Sequence, residues 1–148
     1  MSKLKTTNGD DHPEASQKHL LDAQTLLAQN RFDGAAYLSG YVVECALKSL
    51  WLHETGIASP KMPWGKQGHS LTFLASHVSA LSTVAGAKTA RYVKATTTAI
   101  PTSGIAAWTS EMRYRPATAT AVNATDWYAF ANNVFNETVA QMRLDGVI

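Results

Sequence analysis

The sequence has almost no cysteine, little net charge and no long apolar run. Its one cysteine, Cys45, cannot form a disulfide within the chain, which excludes a disulfide scaffold and fits a reducing compartment. Cys45 sits in an apolar helical pattern and reads as a small buried hydrophobe. A net charge of +2 is too small for a general nucleic-acid coat, so such binding would need a local patch. No segment approaches the ~18 uninterrupted apolar residues of a membrane span, and "MSKLKTTNGDDHPE" has no signal-peptide core. A cytoplasmic location is therefore expected. Metal-ligand clusters are missing too: His69 and His77 are eight apart, and no HExxH occurs. "PWGKQG" fails as a phosphate loop, because Pro60 stands where glycine is needed and Gln67 where Ser or Thr is needed. There is no Gly-x-Ser-x-Gly elbow. The "RFDGAAY" turn suggests one tetratricopeptide-type hairpin, but nothing like it recurs about thirty-four residues on.

Helices are what remain. Residues 1–11 are polar and expected to fray, leaving 12–148 as a single helical domain with 45% apolar residues overall. "DDHPEASQKHLLDAQTLLAQN" reads as a first helix, capped by Asp11 or His12 with Pro13 in its first turn. Its buried face is Ala15, His19 or Leu20, Ala23, Leu26 and Leu27. After a turn at Asn30-Arg31, "FDGAAYLSGYVVECALKSLWLHETG" is the strongest helix, stopped by Gly56 in a left-handed cap. His53 near its C-terminus needs no function. "IASPKMPWGKQG" reads as a loop. Ser70 starts a third helix, "HSLTFLASHVSALSTV", and "AKTARYVKATTTA" is a further candidate before Pro101 and Gly104. A last helix, capped by Asn123 or Thr125, buries Trp127, Phe130 or Ala131, Val134, Val139 and Met142. The fold class expected is all-α, an up-down bundle of four to five antiparallel helices.

Two stretches carry unusual chemistry. On the second helix, Asp33, Tyr37, Tyr41, Glu44, Lys48 and Trp51 share one stripe, while the rest is apolar nearly all round. Such a helix belongs inside the bundle, so its polar stripe faces a groove or a partner. The simpler reading is a helix pair, Glu44 with Lys48, worth ~0.3–0.5 kcal/mol. The second stretch is "WTSEMRYRP". From Ala95 to Thr125 the only charges are Glu111, Arg113 and Arg115, gathered around Met112 and Tyr114. Arginine offers a planar fork for phosphate and tyrosine a face for a base; the alternative is that Glu111 pairs with an arginine and Tyr114 packs on the bundle. His69 reads first as a residue at the helix start. If the loops converge, it stands beside Glu44 and Arg113 as a proton-transfer group.

"RFDGAAYLSGYVVECALKSLWLHETG", then "GHSLTFLA", then "EMRYRP" and a closing helix resemble the HEPN domain family, over roughly His12 to Arg143. The resemblance implies a compact bundle of four or five helices from prokaryotic toxin–antitoxin or phage-defence systems. It implies a homodimer, and for some members a nucleotidyltransferase-type partner. Many members are metal-independent ribonucleases using an Arg followed, after four to six residues, by a His. Here Arg113 meets Thr118, Ala119 and Thr120 at those distances, and Arg115 meets Thr120, Ala121 and Val122. The resemblance therefore implies an RNA- or nucleotide-binding protein without cofactor, with Arg113, Tyr114, Arg115, Lys48, Tyr41 and Tyr37 as binding residues. A divergent ribonuclease using Arg113, His69 and Glu44 is the enzymatic alternative. A helical dimerisation module, using Tyr37, Tyr41, Trp108 and Trp127 as interface aromatics, is the third. The turn before Pro116 further predicts Arg113 pointing inward to Glu44 and Arg115 outward.

Overall fold

The computed structural model describes residues 1–56 and 64–148, and no strand occurs among them. The expected loop at 57–63 lies outside the described residues. Helix α1 spans His12–Ala28, α2 Phe32–Thr55, α3 Leu71–Ser82, α4 Ala95–Ala99, α5 Ala121–Phe135 and α6 Gln141–Leu144. All-α is therefore observed.

Helix α2 is the axis. It is buried on every side from Val42 to Leu52, as its all-round apolar sequence requires. Helix α1 packs along it, after a turn in which Asn30 takes a positive φ of 58°. The Ser16 hydroxyl donates to the Val42 carbonyl at 2.9 Å across that interface. Helices α3 and α5 close two further sides, with Leu47, Leu50, Leu74, Val78, Val134 and Val139 in the shared core. Burying each such side chain is worth roughly 1.5–3 kcal/mol.

The helix ends follow from local chemistry. Asp11 accepts the Glu14 N–H, and Pro13 stands in the first turn. Gly56, at φ 64°, returns its N–H to the Leu52 carbonyl at 2.9 Å. Ser70 caps α3 by accepting the Phe73 N–H at 3.3 Å.

Residues 1–11 carry specific contacts. Ser2 donates its backbone N–H and its hydroxyl to Asp11 at 2.8 and 2.7 Å, Lys3 Nζ reaches the Gly146 carbonyl at 2.6 Å, and Thr6 is buried. Several expectations need correction. The candidate helix at "AKTARYVKATTTA" shortens to Ala95–Ala99. Before it the chain turns at Thr89, whose N–H and hydroxyl both bind Glu54, at 2.8 and 2.7 Å. Threonine and serine favour such local bonds over a helix interior. The last helix starts earlier than Asn123 or Thr125: Thr120 is its cap, accepting the Asn123 N–H at 3.1 Å. It is also interrupted by a π turn at Asn136–Ala140, where the Thr138 hydroxyl donates back to the Val134 carbonyl.

The long segment between α4 and α5 is a string of 3₁₀ turns, Ile100–Thr102, Gly104–Ala107 and Ser110–Tyr114. Trp108 locks it to α2. Its indole N–H donates to the Tyr37 carbonyl at 2.9 Å, and its ring covers Gly40, where a Cβ would sit 2.1 Å from Nε1. Only glycine leaves room there. Trp108 is therefore a core residue of its own chain and supplies no interface aromatic.

Candidate functional site

The first half of the polar stripe of α2 is covered by the chain from Trp108 to Ala119, and Glu44 farther on by His69. At its N-terminal end, Asp33 Oδ1 accepts the backbone N–H groups of Thr118 and Ala119 at 2.7 and 2.9 Å. This ties the end of the "EMRYRP" segment to the first turn of α2. One turn on, the Tyr37 hydroxyl donates to the Ser110 carbonyl at 3.4 Å and lies 3.0 Å from the Tyr41 hydroxyl. Burial, reinforced by the Tyr37 hydrogen bond, pushes the Tyr41 phenol far above its ordinary range.

Deeper along α2, Glu44 is almost wholly buried. Its Oε1 accepts Lys48 Nζ at 2.6 Å, and His69 Nδ1 lies 3.1 Å from both carboxylate oxygens. The imidazole is half exposed, so Glu44 fixes one edge of the ring while the other remains accessible. His12 stands behind this group; burial, with the charge of Lys48, lowers its pKa below the ordinary imidazole value. Burial likewise lowers His19, whose ring lies 5.4 Å from Tyr41 and whose Nδ1 is buried without a partner.

Two cavities flank the Ser110–Tyr114 turn. One, about 310 Å³, is lined by Lys66, His69, Ser70, Trp108, Ser110 and Glu111, among others. The other, about 230 Å³, is lined by Asp33, Gly34, Tyr37, Met112, Arg113 and Arg115, with Ala117. A smaller one of about 190 Å³ shares Asp33, Met112 and Arg115 and extends to Pro116 and Trp127.

The structure separates the residues nominated from the sequence into two groups. Arg113, Arg115 and Tyr37 line one cavity, and Tyr114 projects beside it, 76% exposed, with the Arg113 guanidinium 4.8 Å from its ring centre. Hydrogen bonding to Tyr114 holds the Arg113 guanidinium above even its ordinary pKa. Neither arginine forms an ion pair among the described residues, and Glu111 takes neither of them. Lys48 is buried against Glu44, Tyr41 is half-buried against Trp108, and neither lines either cavity.

The expected Arg113–Glu44 contact is absent, which is a correction. Residues three apart eclipse in a 3₁₀ turn. Arg113 therefore follows Ser110 toward Tyr37, while His69 and Lys48 already occupy the Glu44 oxygens. His69 does stand beside Glu44, but Arg113, the other neighbour expected of it, does not join them.

Asp33 was on the stripe but was not nominated, Glu111 was singled out only as a partner for an arginine, and Lys66 and Ser110 gave no signal beyond their place in loops. No group of three or more His, Cys, Asp or Glu among the described residues is placed to hold a metal ion. Phosphate is the group that the exposed arginines suit, since each guanidinium presents a fork of donors.

Compared with family models, curated proteins and solved structures, the chain matches none. Its site must be read from its own residues. No helix among those described is long and apolar enough to cross a membrane.

Proposed function

We propose that this is a HEPN-like RNA- or nucleotide-binding protein of a toxin–antitoxin or phage-defence system. The observation that carries the reading is the pair Arg113 and Arg115. Both are exposed, uncommitted to any carboxylate, and line one cavity with an exposed tyrosine beside it. Two forks bind phosphate oxygens, and the Tyr114 face stacks on a base, an arrangement that tolerates many sequences. The test is fluorescence anisotropy with a labelled short RNA and with a nucleotide at several salt concentrations. Binding should weaken steeply with salt, and Arg115→Ala should lower the salt slope by about one phosphate contact. Salt-independent binding, or none, overturns the reading.

The same reading makes the protein a homodimer, with a nucleotidyltransferase-type or other antitoxin protein as its partner. Light scattering at micromolar concentration that returns 16.0 kDa removes the homodimer.

One observation favours a second reading, a metal-independent ribonuclease with a divergent site. His69, with Nδ1 on the buried carboxylate of Glu44, lines the cavity beside Lys66 and is half exposed there. A positioned imidazole of this kind supplies proton transfer worth roughly 10²–10⁴-fold in rate. Cleavage of RNA in the presence of EDTA, lost in His69→Ala, distinguishes this reading from binding alone.

A further inference from the structure

Asp33 holds a free acceptor in the groove that the two arginines border. Its Oδ1 is fixed by the backbone N–H groups of Thr118 and Ala119 at 2.7 and 2.9 Å, so the carboxylate plane is set by α2 and the segment leading to α5. Its Oδ2 has no hydrogen-bond partner among the described residues. Asp33, Met112 and Arg115 line both the 230 Å³ and the 190 Å³ cavities, so one carboxylate and one guanidinium share a continuous groove. They form no ion pair with each other, and each remains open to a ligand. The other walls bring the hydroxyl side chains of Tyr37 and Thr118, and otherwise Gly34, Ala107, Ala117, Pro116 and Trp127, so Asp33 is the one carboxylate among them. Asp33 is thus the carboxylate acceptor of a groove whose cations bind phosphate.

A carboxylate accepts and does not donate, so its ligand must bring an N–H or O–H group. In a nucleotide the donors nearest the phosphate are the sugar hydroxyls, and the base lies farther off, on the Tyr114 side. We infer that Asp33 Oδ2 accepts the 2′-hydroxyl of a ribose whose phosphate lies on Arg113 and Arg115, so that the groove selects ribose over deoxyribose. The ligand class is a 5′-phosphorylated ribonucleoside, free or within an RNA strand. This rests on the phosphate-binding reading above and adds the sugar to it. The 2′-hydroxyl is the group by which a protein tells RNA from DNA at one position.

The experiment compares AMP with dAMP, and oligoadenylate with its 2′-deoxy and 2′-O-methyl forms, for the intact protein and for Asp33→Asn. Asparagine keeps a carbonyl oxygen for Thr118 and Ala119 but replaces the free acceptor with a donor. Wild type should favour the ribose form about tenfold or more over both analogues, as expected of one hydrogen bond to a charged group. The variant should bind ribose and deoxyribose forms alike, with at most a modest drop in melting temperature from the lost charge in the first turn of α2. The AMP arm and the oligoadenylate arm separate a free nucleotide from a strand. Equal wild-type affinity for ribose and deoxyribose overturns the inference and leaves the arginine reading standing. A preference that persists in Asp33→Asn overturns the assignment to Asp33. If no ligand of either sugar binds, the phosphate reading itself fails. The wild-type comparison stands even if the variant does not fold.

Discussion

The protein keeps two groups of charged residues a few turns apart, and they are handled in opposite ways. Along the middle of α2, the buried Glu44 and Lys48 pair with each other, and the half-exposed His69 closes on the same carboxylate. Across the Ser110–Tyr114 turn, Arg113 and Arg115 have no carboxylate and face a cavity. The sequence gives no hint of that division, since Glu44–Lys48 and Glu111–Arg115 are both acid–base pairs four apart. The difference lies in the backbone. In an α-helix, residues four apart share a face; in a 3₁₀ turn the shared face is three apart, so Glu111 and Arg115 do not meet. Buried charges must be paired, while exposed ones are free to recognise a ligand.

That contrast can be broken most strongly at Glu44. Glu44→Ala leaves Lys48 buried without its partner and should destabilise the fold by about 3–5 kcal/mol in chemical unfolding. A loss under about 1 kcal/mol would mean that the pair is solvated. Next comes Gly40→Ala, whose methyl group collides with the Trp108 indole. It should cost ~1–3 kcal/mol or more and loosen the whole 3₁₀ segment, seen as Trp108 becoming open to fluorescence quenchers. Unaltered stability and quenching would show that the indole does not rest on α2.

A smaller effect follows from His12. Its folded pKa lies below the unfolded value of 6.5, so the unfolded chain binds the proton more readily. Stability is then full above about pH 6.5 and falls as pH drops from there toward the folded value. His19 and His53, lowered mainly by burial, act in the same direction. Melting temperature should decline by a few degrees on acidification from pH 7 toward 5, and His12→Gln should flatten part of that slope. A melting temperature that rises over this window contradicts a buried neutral imidazole. The smallest effect belongs to the other region. Arg113→Ala and Arg115→Ala should both leave the melting temperature within error, since neither side chain supports the fold, while both weaken ligand binding. A clear drop for Arg113 alone would restore the inward orientation that the turn before Pro116 first suggested.

What could be read beforehand followed from periodicity and caps. The boundaries of α1 and α2, the Ser70 cap and the left-handed Gly56 all come from local rules that tertiary packing did not override. The helix at "AKTARYVKATTTA" failed because Thr89 bonds to Glu54, a contact 35 residues away in sequence. The site was half legible. Grouping Arg113, Tyr114 and Arg115 needed only proximity in sequence, and Tyr37 only a helical projection. That Tyr41 is partly covered needed the position of Trp108, which lies at the end of a 3₁₀ turn with no periodic signal. Asp33 was visible on the stripe, but its role depends on Thr118 and Ala119, brought back to it by the long segment.

The π turn at Asn136–Ala140 has a meaning for the history of the chain. Val134 and Val139 are both fully buried although five residues apart, a step that a regular helix would not keep on one face. A π turn is equivalent to one inserted residue accommodated without turning the rest of the helix out of register. Everything beyond it holds its place: Met142 in the core, Arg143 on Glu14, and Asp145 on the Tyr92 hydroxyl. Within α5 and its continuation, this is the place where a one-residue deletion would restore an ordinary helix and leave the downstream contacts aligned. A relative one residue shorter here would keep the same core, and an alignment forced through without a gap would misplace every residue after it.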